Sequence, residues 1–220
     1  CRIMIMGMVD HADLSWCIEN DIEFFVFDPG RMEAAVALSK KIGKPARIHI
    51  ELETGMNRSG FDNRELGSIK KMISENTGHL VLEGLCTHYA GAESIANYLR
   101  VQKQIKRFKT RSRSLEKVGV VPKLKHTACS AAAMTYPITR MNMVRIGIMQ
   151  YGYWPSVETL MNYLGKQSQK EDPLDRVISW KSKVMNVKTV KAGQFIGYGT
   201  TYLAVSQMKI AIVPVGYSEG

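Results

Sequence analysis

The 220-residue sequence has no apolar run long enough to cross a membrane, and it has few cysteines. No stretch approaches the roughly 18 consecutive apolar residues that a transmembrane helix requires. No basic start followed by a short apolar run marks a secretory signal. The four cysteines lie far apart, without the paired spacing of a disulfide framework or a metal site. These absences predict a cytoplasmic protein with reduced thiols, no membrane association and no metal.

The formal net charge of +10 raises the question of nucleic acid binding, since clustered Lys and Arg release counterions from phosphate backbones. The most basic segment is RVQKQIKRFKTRSRSLEK. Apolar residues recur at helical spacing in and just before it, at Tyr98, Val101, Ile105, Phe108 and Leu115. This spacing predicts an amphipathic helix with its cations on solvated outer faces, and no exposed aromatic residues interleave with them to stack on bases. We therefore expect no nucleic acid partner.

Apolar strand-like segments alternate with helical segments over most of the chain, and hydrophobic residues, at 45%, suffice for a substantial core. The segments typical of strands are RIMIMG, EFFVFD, ARIHIEL, LVLEGLCTHY, KLKHTACS and MVRIGIMQYG. Helices are predicted for residues 11–19, 31–41 and 63–75, and for the basic segment. Nearly continuous apolar strands that alternate with helices indicate an α/β fold, with a parallel sheet covered on both faces or closed into a barrel.

The sequence pattern changes after residue 155. Residues 156–175 are polar and predict a connecting loop, whereas strand-rich segments without intervening helices follow from residue 176. We therefore expect an α/β domain over residues 1–155, the loop, and the start of an all-β domain over residues 176–220. Because the sequence opens and closes in strand-like segments, we also expect a chain that is cut at both ends.

Polar residues stand at the C-terminal ends of successive predicted strands. Arg58, His88 and Ser130 follow or end three strands, and Arg145 lies in the last one. In parallel α/β folds these ends meet at one mouth, where binding sites form. Each residue could also have a purely structural role. A histidine can be a hydrogen-bonded residue of the core, a serine can cap a helix, and the glycines around Arg58 can form a turn. Arg145 resists this explanation best, because an unpaired buried charge costs several kcal/mol.

Six segments in order resemble the signature segments of the alanine racemases, which are fold-type III, pyridoxal 5′-phosphate-dependent enzymes. The segments are ELETGMNRSGF, EGLCTHYAGAES, HTACSAAAMTYP, MVRIGIMQYG, VMNVKTVKAGQFIGYGTTY and IAIVPVGYSEG. The resemblance implies a partial (β/α)8 barrel followed by part of an all-β domain. It implies an isomerase that interconverts L- and D-alanine, or a related small amino acid, by two-base proton transfer at Cα. Such an enzyme supplies D-amino acids for cell-wall peptidoglycan.

The resemblance assigns the cofactor contacts to residues of the barrel. Arg145 corresponds to the arginine that hydrogen-bonds the pyridine nitrogen, and His88 to the histidine that holds this arginine. Ser130 and the backbone amides of Gly147 and Ile148 correspond to the phosphate ligands. Because a guanidinium has no acceptor and stays protonated, it leaves the pyridine nitrogen unprotonated.

The resemblance also assigns residues around the substrate. Arg58 corresponds to the arginine that reaches the cofactor's phenolic oxygen and the substrate carboxylate, and Glu51 stands where the family usually has a carbamylated lysine that orients it. Tyr198 corresponds to one of the two catalytic bases, and Tyr217 to a second tyrosine that lines the substrate entrance. Because these tyrosines act on the cofactor of the other subunit, the resemblance implies a homodimer. Cys129 departs from the asparagine of many members.

The stretch that carries the Schiff-base lysine in this family, similar to KANAYGHG, does not occur in the sequence. The first two barrel strands and the C-terminal part of the β domain are missing with it, so we expect the chain alone to be inactive. Decarboxylases of the same fold type usually place a glutamate at the pyridine nitrogen. Because this sequence has Arg145 there, a decarboxylase is disfavoured. A non-catalytic pyridoxal phosphate-binding protein, and a racemase of serine or a larger amino acid, remain alternatives.

Overall fold

The computed structural model describes residues 1–168 and 170–216. It divides into two compact units, Cys1–Arg176 and Val177–Gly220. None of the helices in the described residues is long and apolar enough to cross a membrane.

The first unit is built on a five-stranded parallel sheet whose strands lie side by side in chain order. The strands are β1 (Met4–Ile5), β2 (Glu23–Val26), β3 (Ala46–Glu51), β4 (Leu80–Cys86) and β5 (Leu124–His126). Helices make the crossover connections that parallel neighbours require: α1 (Leu14–Glu19), α2 (Pro29–Ile42), α3 (Leu66–Glu75) and α4 (Tyr98–Lys117). A short helix, α5 (Ser130–Thr135), follows β5. The curled parallel sheet confirms the predicted α/β class and the partial barrel.

The core of this unit lies between the strands and the helices that cover them. Phe24, Ile48, Ile50 and Leu85 of the strands are fully buried. Strands that are buried on both faces have no solvent side to keep polar, which explains their nearly continuous apolar sequences. The helices contribute the large buried side chains Leu14, Ile18, Met32, Ile69, Phe108 and Leu115.

Helix boundaries follow local capping chemistry, as α2 shows. The carboxylate of Asp28 accepts a hydrogen bond from the amide of Arg31 at 2.8 Å, and Pro29 occupies the first turn. Gly43 ends the helix in the left-handed region, with a φ of +78°, where a residue without Cβ is favoured. The helix predicted for residues 31–41 is therefore confirmed and extends slightly at both ends.

The sixth predicted strand, residues 143–152, does not form. The backbone is irregular up to Gly147 and then makes a 3₁₀ turn at Ile148–Tyr151. The amide of Arg145 still donates to the carbonyl of Ala128 at 2.9 Å, in the manner of a ladder bond. Within the described residues, however, the sheet ends at β5. The prediction that Arg145 lies in a strand was therefore wrong.

Part of the predicted connecting loop is helical. Helix α6 spans Val157–Gly165, and the hydroxyl of Ser156 caps it by accepting from the amide of Thr159 at 3.1 Å. Leu160 and Leu164 follow Val157 at helical spacing, a short pattern within a polar stretch. The prediction of a loop over residues 156–175 was wrong for this part.

The second unit contains only short antiparallel strands among its described residues. Strand β6 (Asn186–Val190) pairs with β9 (Met208–Ile212), and β7 (Phe195–Ile196) pairs with β8 (Tyr202–Leu203). This is the predicted start of an all-β fold, although residues 177–185, which the sequence also placed in a strand-rich segment, form none.

Candidate functional site

A cavity of about 660 Å³ opens in the first unit, where residues that follow β3, β4 and β5 come together. Predicted site residues that line it are Glu51, Arg58, His88, Ser130, Arg145, Gly147 and Ile148. The C-terminal ends of parallel strands meet at one edge of a sheet, and this topology brings the seven residues together. Their chemical roles stay predictions.

Arg58 lies on a closed loop that follows β3. The ends of the loop pair through their backbones, because Phe61 donates to the Glu51 carbonyl at 2.9 Å and accepts from the Glu53 amide at 3.0 Å. Gly60 has a φ of +107°, and a Cβ there would lie only 2.6 Å from the Glu53 nitrogen. The loop therefore closes tightly on itself and presents Arg58, whose side chain is exposed, at the cavity.

Glu51 is buried at the end of β3 and has a partner other than Arg58. One of its carboxylate oxygens accepts a hydrogen bond from the hydroxyl of Ser59 at 2.7 Å. Ser59 directly follows Arg58 in the loop, so the contact fixes the backbone beside the arginine. The prediction that Glu51 orients the guanidinium itself stays a prediction.

His88 follows β4 and is partly buried in the cavity wall. Its pKa is lowered to about 4, first by burial and then by the positive charges of Arg145 and Arg58. The imidazole is therefore neutral near pH 7 and can accept a hydrogen bond on one of its nitrogens.

The guanidinium of Arg145 is held mainly by main-chain oxygen atoms. Its Nη2 donates to the carbonyl of Thr87 at 2.7 Å and to the carbonyl of Thr127 at 3.3 Å. It also lies 5.9 Å from the ring centre of Phe25, within the range of a cation–π contact. The partly buried charge is thus paired, as the sequence argument required, but the imidazole within hydrogen-bonding distance belongs to His126 and not to His88.

A chain of buried polar groups that the sequence did not predict runs from Arg145 into the sheet. His126 Nδ1 lies 3.4 Å from Arg145 Nη1, and His126 Nε2 lies 2.8 Å from His49 Nδ1. His49 Nε2 lies 2.7 Å from a carboxylate oxygen of Glu23. Because a guanidinium can only donate, His126 Nδ1 must accept. Each imidazole then carries its proton on Nε2 and donates toward Glu23, and we call these four residues the histidine relay.

Burial keeps both histidines of the relay neutral. The pKa of His126 is lowered to about 2, first by burial and then by the charges of Arg145 and His49. Burial also lowers the pKa of His49, although hydrogen bonding to Glu23 opposes the shift. Burial alone would raise the pKa of Glu23, but hydrogen bonds from Arg2 and His49 outweigh it and lower that pKa. The relay therefore ends in an ionised carboxylate.

Gly84 of the central strand β4 makes room for the relay. A Cβ at this position would lie 2.1 Å from His49 Nδ1 and 2.9 Å from His126 Nε2. His49 is on β3 and His126 is on β5, so their side chains can meet only across a strand residue without a side chain. The sequence signals were a histidine in each of RIHIEL and KLKHTACS and a glycine in the strand between them.

Hydroxyl and backbone amide groups form another part of the cavity wall. Ser130 begins α5, and its hydroxyl accepts a hydrogen bond from the amide of Gly147 at 3.0 Å. Ile148 begins the 3₁₀ turn that follows. Cys129, half-buried, occupies the N-cap position of α5 without a side-chain capping hydrogen bond. The Ser130 hydroxyl can still donate its own hydrogen, and an uncharged donor of this kind suits an anionic group.

Tyr198 and Tyr217, the two tyrosines predicted to act in the site, come after the cavity-lining residues in the sequence. Tyr198 is in the turn between β7 and β8 of the second unit, with its side chain fully exposed. Tyr217 lies outside the described residues. The roles predicted for both tyrosines stay predictions.

Comparison with protein families gives two matches that together cover most of the chain. The model of the alanine racemase N-terminal domain matches residues 1–155. The model of the alanine racemase C-terminal domain matches residues 177–220.

Individual relatives agree with the family models. The alanine racemase of Leptospira interrogans serogroup Icterohaemorrhagiae serovar copenhageni is 34% identical over 220 residues, which cover 99% of this chain and 55% of that protein. The alanine racemase of Methanococcus maripaludis is 32% identical, over 100% of this chain and 57% of that protein.

Solved structures show the same relationship. Alanine racemase from Bacillus anthracis with bound L-Ala-P matches with a TM-score of 0.72 and 32% identity, over 99% of this chain and 54% of that one. Alanine racemase from Streptomyces lavendulae matches with a TM-score of 0.76 and 28% identity, over 100% of this chain and 56% of that one. The chain spans about half the length of the relatives it matches, and it belongs to the alanine racemase family.

Proposed function

We propose that the protein carrying this chain is a pyridoxal 5′-phosphate-dependent racemase that interconverts L- and D-alanine. The observation that supports it best is the placement of Arg145, a guanidinium fixed by the Thr87 and Thr127 carbonyls in the wall of a cavity that also holds the donors at Ser130 and Gly147. A planar guanidinium beside uncharged hydrogen-bond donors, which can bind an anion, fits an aromatic cofactor that carries a phosphate.

The cavity fits pyridoxal phosphate in size and in chemistry. Its volume of about 660 Å³ lies within the range of roughly 300–1,000 Å³ that is usual for small-molecule sites. Arg145 would hydrogen-bond the pyridine nitrogen, and Ser130 with the amides of Gly147 and Ile148 would bind the phosphate. When bound, the cofactor would supply an electron sink that makes the Cα proton of an amino acid acidic.

The residues around the cofactor would set how strong that electron sink becomes. Since a guanidinium cannot give up its proton at physiological pH, Arg145 would leave the pyridine nitrogen unprotonated. This weaker sink favours proton return over the side reactions of a fully protonated ring. The histidine relay supports the assignment, because His126 presents a lone pair and not a proton to Arg145.

Arg58 would bind the substrate carboxylate and the cofactor's phenolic oxygen. Its loop places the guanidinium at the cavity beside His88, which is neutral near pH 7 and does not compete for an anion. Glu51, which fixes Ser59 in the same loop, would replace the family's carbamylated lysine as the local anion.

The proton transfers would need groups beyond the first unit. Tyr198 would remove or return one Cα proton, and Tyr217 would line the substrate entrance, both acting at the site of the partner subunit in a homodimer. The exposure of Tyr198 in its turn is compatible with contact to a second copy. A lysine supplied by another part of the protein would be the second base.

The wider role follows from this chemistry. A racemase of this kind in the cytoplasm would supply D-alanine for cell-wall peptidoglycan. Serine or a larger amino acid as substrate, and cofactor binding without turnover, are the other outcomes that the test must separate.

The test uses the full-length protein. We expect a visible cofactor band after purification with pyridoxal phosphate, and D-alanine on chiral analysis after incubation with L-alanine. D-serine formed faster than D-alanine would reassign the substrate, and a band without any D-product would indicate cofactor binding alone. Absence of the band would contradict the cofactor assignment. For variants of the cavity residues, Arg113→Ala is a suitable control, because this exposed arginine does not line the cavity.

A further inference from the structure

A stripe of polar residues on α4 faces the two loops that carry Arg58 and His88. The stripe consists of Arg100, Gln104, Arg107 and Arg111, at intervals of four, three and four, which places them on one side of the helix. Sequence analysis predicted a solvated outer face for the cations of this helix. In the structure these four side chains instead donate hydrogen bonds to the backbone of the neighbouring loops.

Three guanidiniums hold three successive carbonyl groups of the Arg58 loop. The pairs are Arg111 with the carbonyl of Glu53, Arg107 with that of Thr54 at 3.0 Å, and Arg100 with that of Gly55 at 3.3 Å. Residue numbers fall along the loop as they rise along the helix, so the loop segment runs antiparallel to α4. The cations of this stripe are therefore donors to the loop.

The side chain of Glu53 explains why these carbonyls face the helix. Its carboxylate accepts from the amide of Gly55 and, at 2.8 Å, from the amide of Asn57. With the amides turned to the carboxylate, the carbonyls need donors from elsewhere. Gly55 permits the close approach, because its φ is +140° and a Cβ there would lie 3.0 Å from Gln104 Cγ and 3.1 Å from Arg107 Nη1.

Gln104 extends the same stripe to the loop that follows β4. Its buried amide group makes two hydrogen bonds of 2.9 Å with the backbone of Ala90, one accepted and one donated. Ala90 lies two residues after His88. The two loops also contact each other directly, through the hydroxyls of Thr54 and Thr87 at 2.8 Å. One side of α4 thus fixes the position of the two loops relative to each other.

We infer that Gln104, Arg107 and Arg111 are positioning residues, which fix the loop of Arg58 against the loop of His88 so that both side chains meet the same bound molecule. What that molecule is rests on the proposed function. The contacts themselves belong to the chain without any ligand, and they can be tested separately.

The direct test is amide hydrogen exchange in the full-length protein without cofactor. In the double variant Arg107→Ala/Arg111→Ala, we expect exchange at Gly55 and Asn57 to accelerate about tenfold or more while β3 stays protected. Arg113→Ala, on the same helix, should leave the loop unchanged. Unchanged loop exchange in the double variant would overturn the inference. If the double variant loses protection throughout the barrel, Arg107→Lys, which keeps the charge with fewer donors, must still raise loop exchange while β3 stays protected.

The kinetic consequence is tested in the cofactor-loaded protein. Loss of the contacts between α4 and the loop, in Arg107→Ala/Arg111→Ala, should raise KM for alanine about tenfold, with a smaller change in kcat, because Arg58 is displaced from the substrate carboxylate. Arg107→Lys should restore part of the loss. A fall in kcat with KM unchanged would contradict the positioning role. If no racemase activity is found at all, the proposed function fails, whereas the exchange result still decides whether α4 fixes the position of the Arg58 loop.

Discussion

Nε2 of His126 lies 2.8 Å from Nδ1 of His49, so two imidazoles from next-but-one strands share one hydrogen bond inside the barrel sheet. The direction of this bond is not free. Arg145 at one end can only donate and ionised Glu23 at the other end can only accept, so each group between them accepts from the side of Arg145 and donates toward Glu23.

The first prediction concerns the tautomers of these histidines. We expect the side-chain nitrogen-15 spectrum of the full-length protein to show both His126 and His49 as neutral Nε2–H tautomers between pH 6 and 8. Their buried positions and lowered pKa values keep the second proton away. An Nδ1–H tautomer at His126 would contradict the hydrogen bond to Arg145.

The second prediction concerns Gly84. Gly84→Ala should destabilise the protein by about 2–4 kcal/mol, because the added methyl group separates the imidazoles and leaves buried polar groups unpaired. The free energy of unfolding, measured by denaturant titration, checks this. Gly67→Ala is the matched control, since a Cβ at that helical position meets nothing within 4 Å. The control should be neutral or stabilising by up to about 1 kcal/mol. Equal effects of the two substitutions would show that the relay has no role in stability.

The sequence predicted the strands of the sheet well, because β2, β3 and β4 are buried on both faces and their apolar runs need no tertiary information. It placed Arg145 in a strand for the same reason, since MVRIGIMQYG has the composition of one. In the structure this segment is irregular up to Gly147 and then forms a 3₁₀ turn, which its composition does not reveal.

The position of residues at strand ends made part of the candidate site predictable. Arg58, His88 and Ser130 could be found in this way. His49 and His126 lie inside strands, where a histidine looks like an occasional core residue, and only the absence of a side chain at Gly84 shows that they meet. The arginines of α4 were assigned to solvent because helical periodicity separates faces but does not show what packs against the polar one.

The third prediction concerns pH. The pKa of His126 is lowered to about 2 from its ordinary value of 6.5, so between these values the unfolded chain binds a proton that the folded chain does not. The contribution of neutral His126 to the free energy of unfolding therefore has its full value above about pH 6.5. It decreases on acidification, by up to about 1.4 kcal/mol per pH unit. Glu23 acts in the same direction at lower pH, because its pKa lies below the ordinary 4.5.

Unfolding free energies of the full-length protein between pH 8 and pH 5 check this prediction. The wild type should lose stability below about pH 6.5. The variant His126→Gln, which can accept from Arg145 and donate to His49 but does not titrate, should be less stable at pH 8 and should show a shallower decline. Parallel curves for the two proteins would mean that His126 is not held neutral.

In the proposed function, Arg145 faces the pyridine nitrogen of bound pyridoxal phosphate. The nitrogen-15 chemical shift of the ring nitrogen, in labelled cofactor bound to the full-length protein, reports on this contact. We predict the shift of an unprotonated pyridine in the wild type and of a protonated one in Arg145→Glu, because a carboxylate accepts a hydrogen bond from the protonated ring nitrogen whereas a guanidinium can only donate. A protonated ring nitrogen in the wild type would contradict the contact between Arg145 and the cofactor.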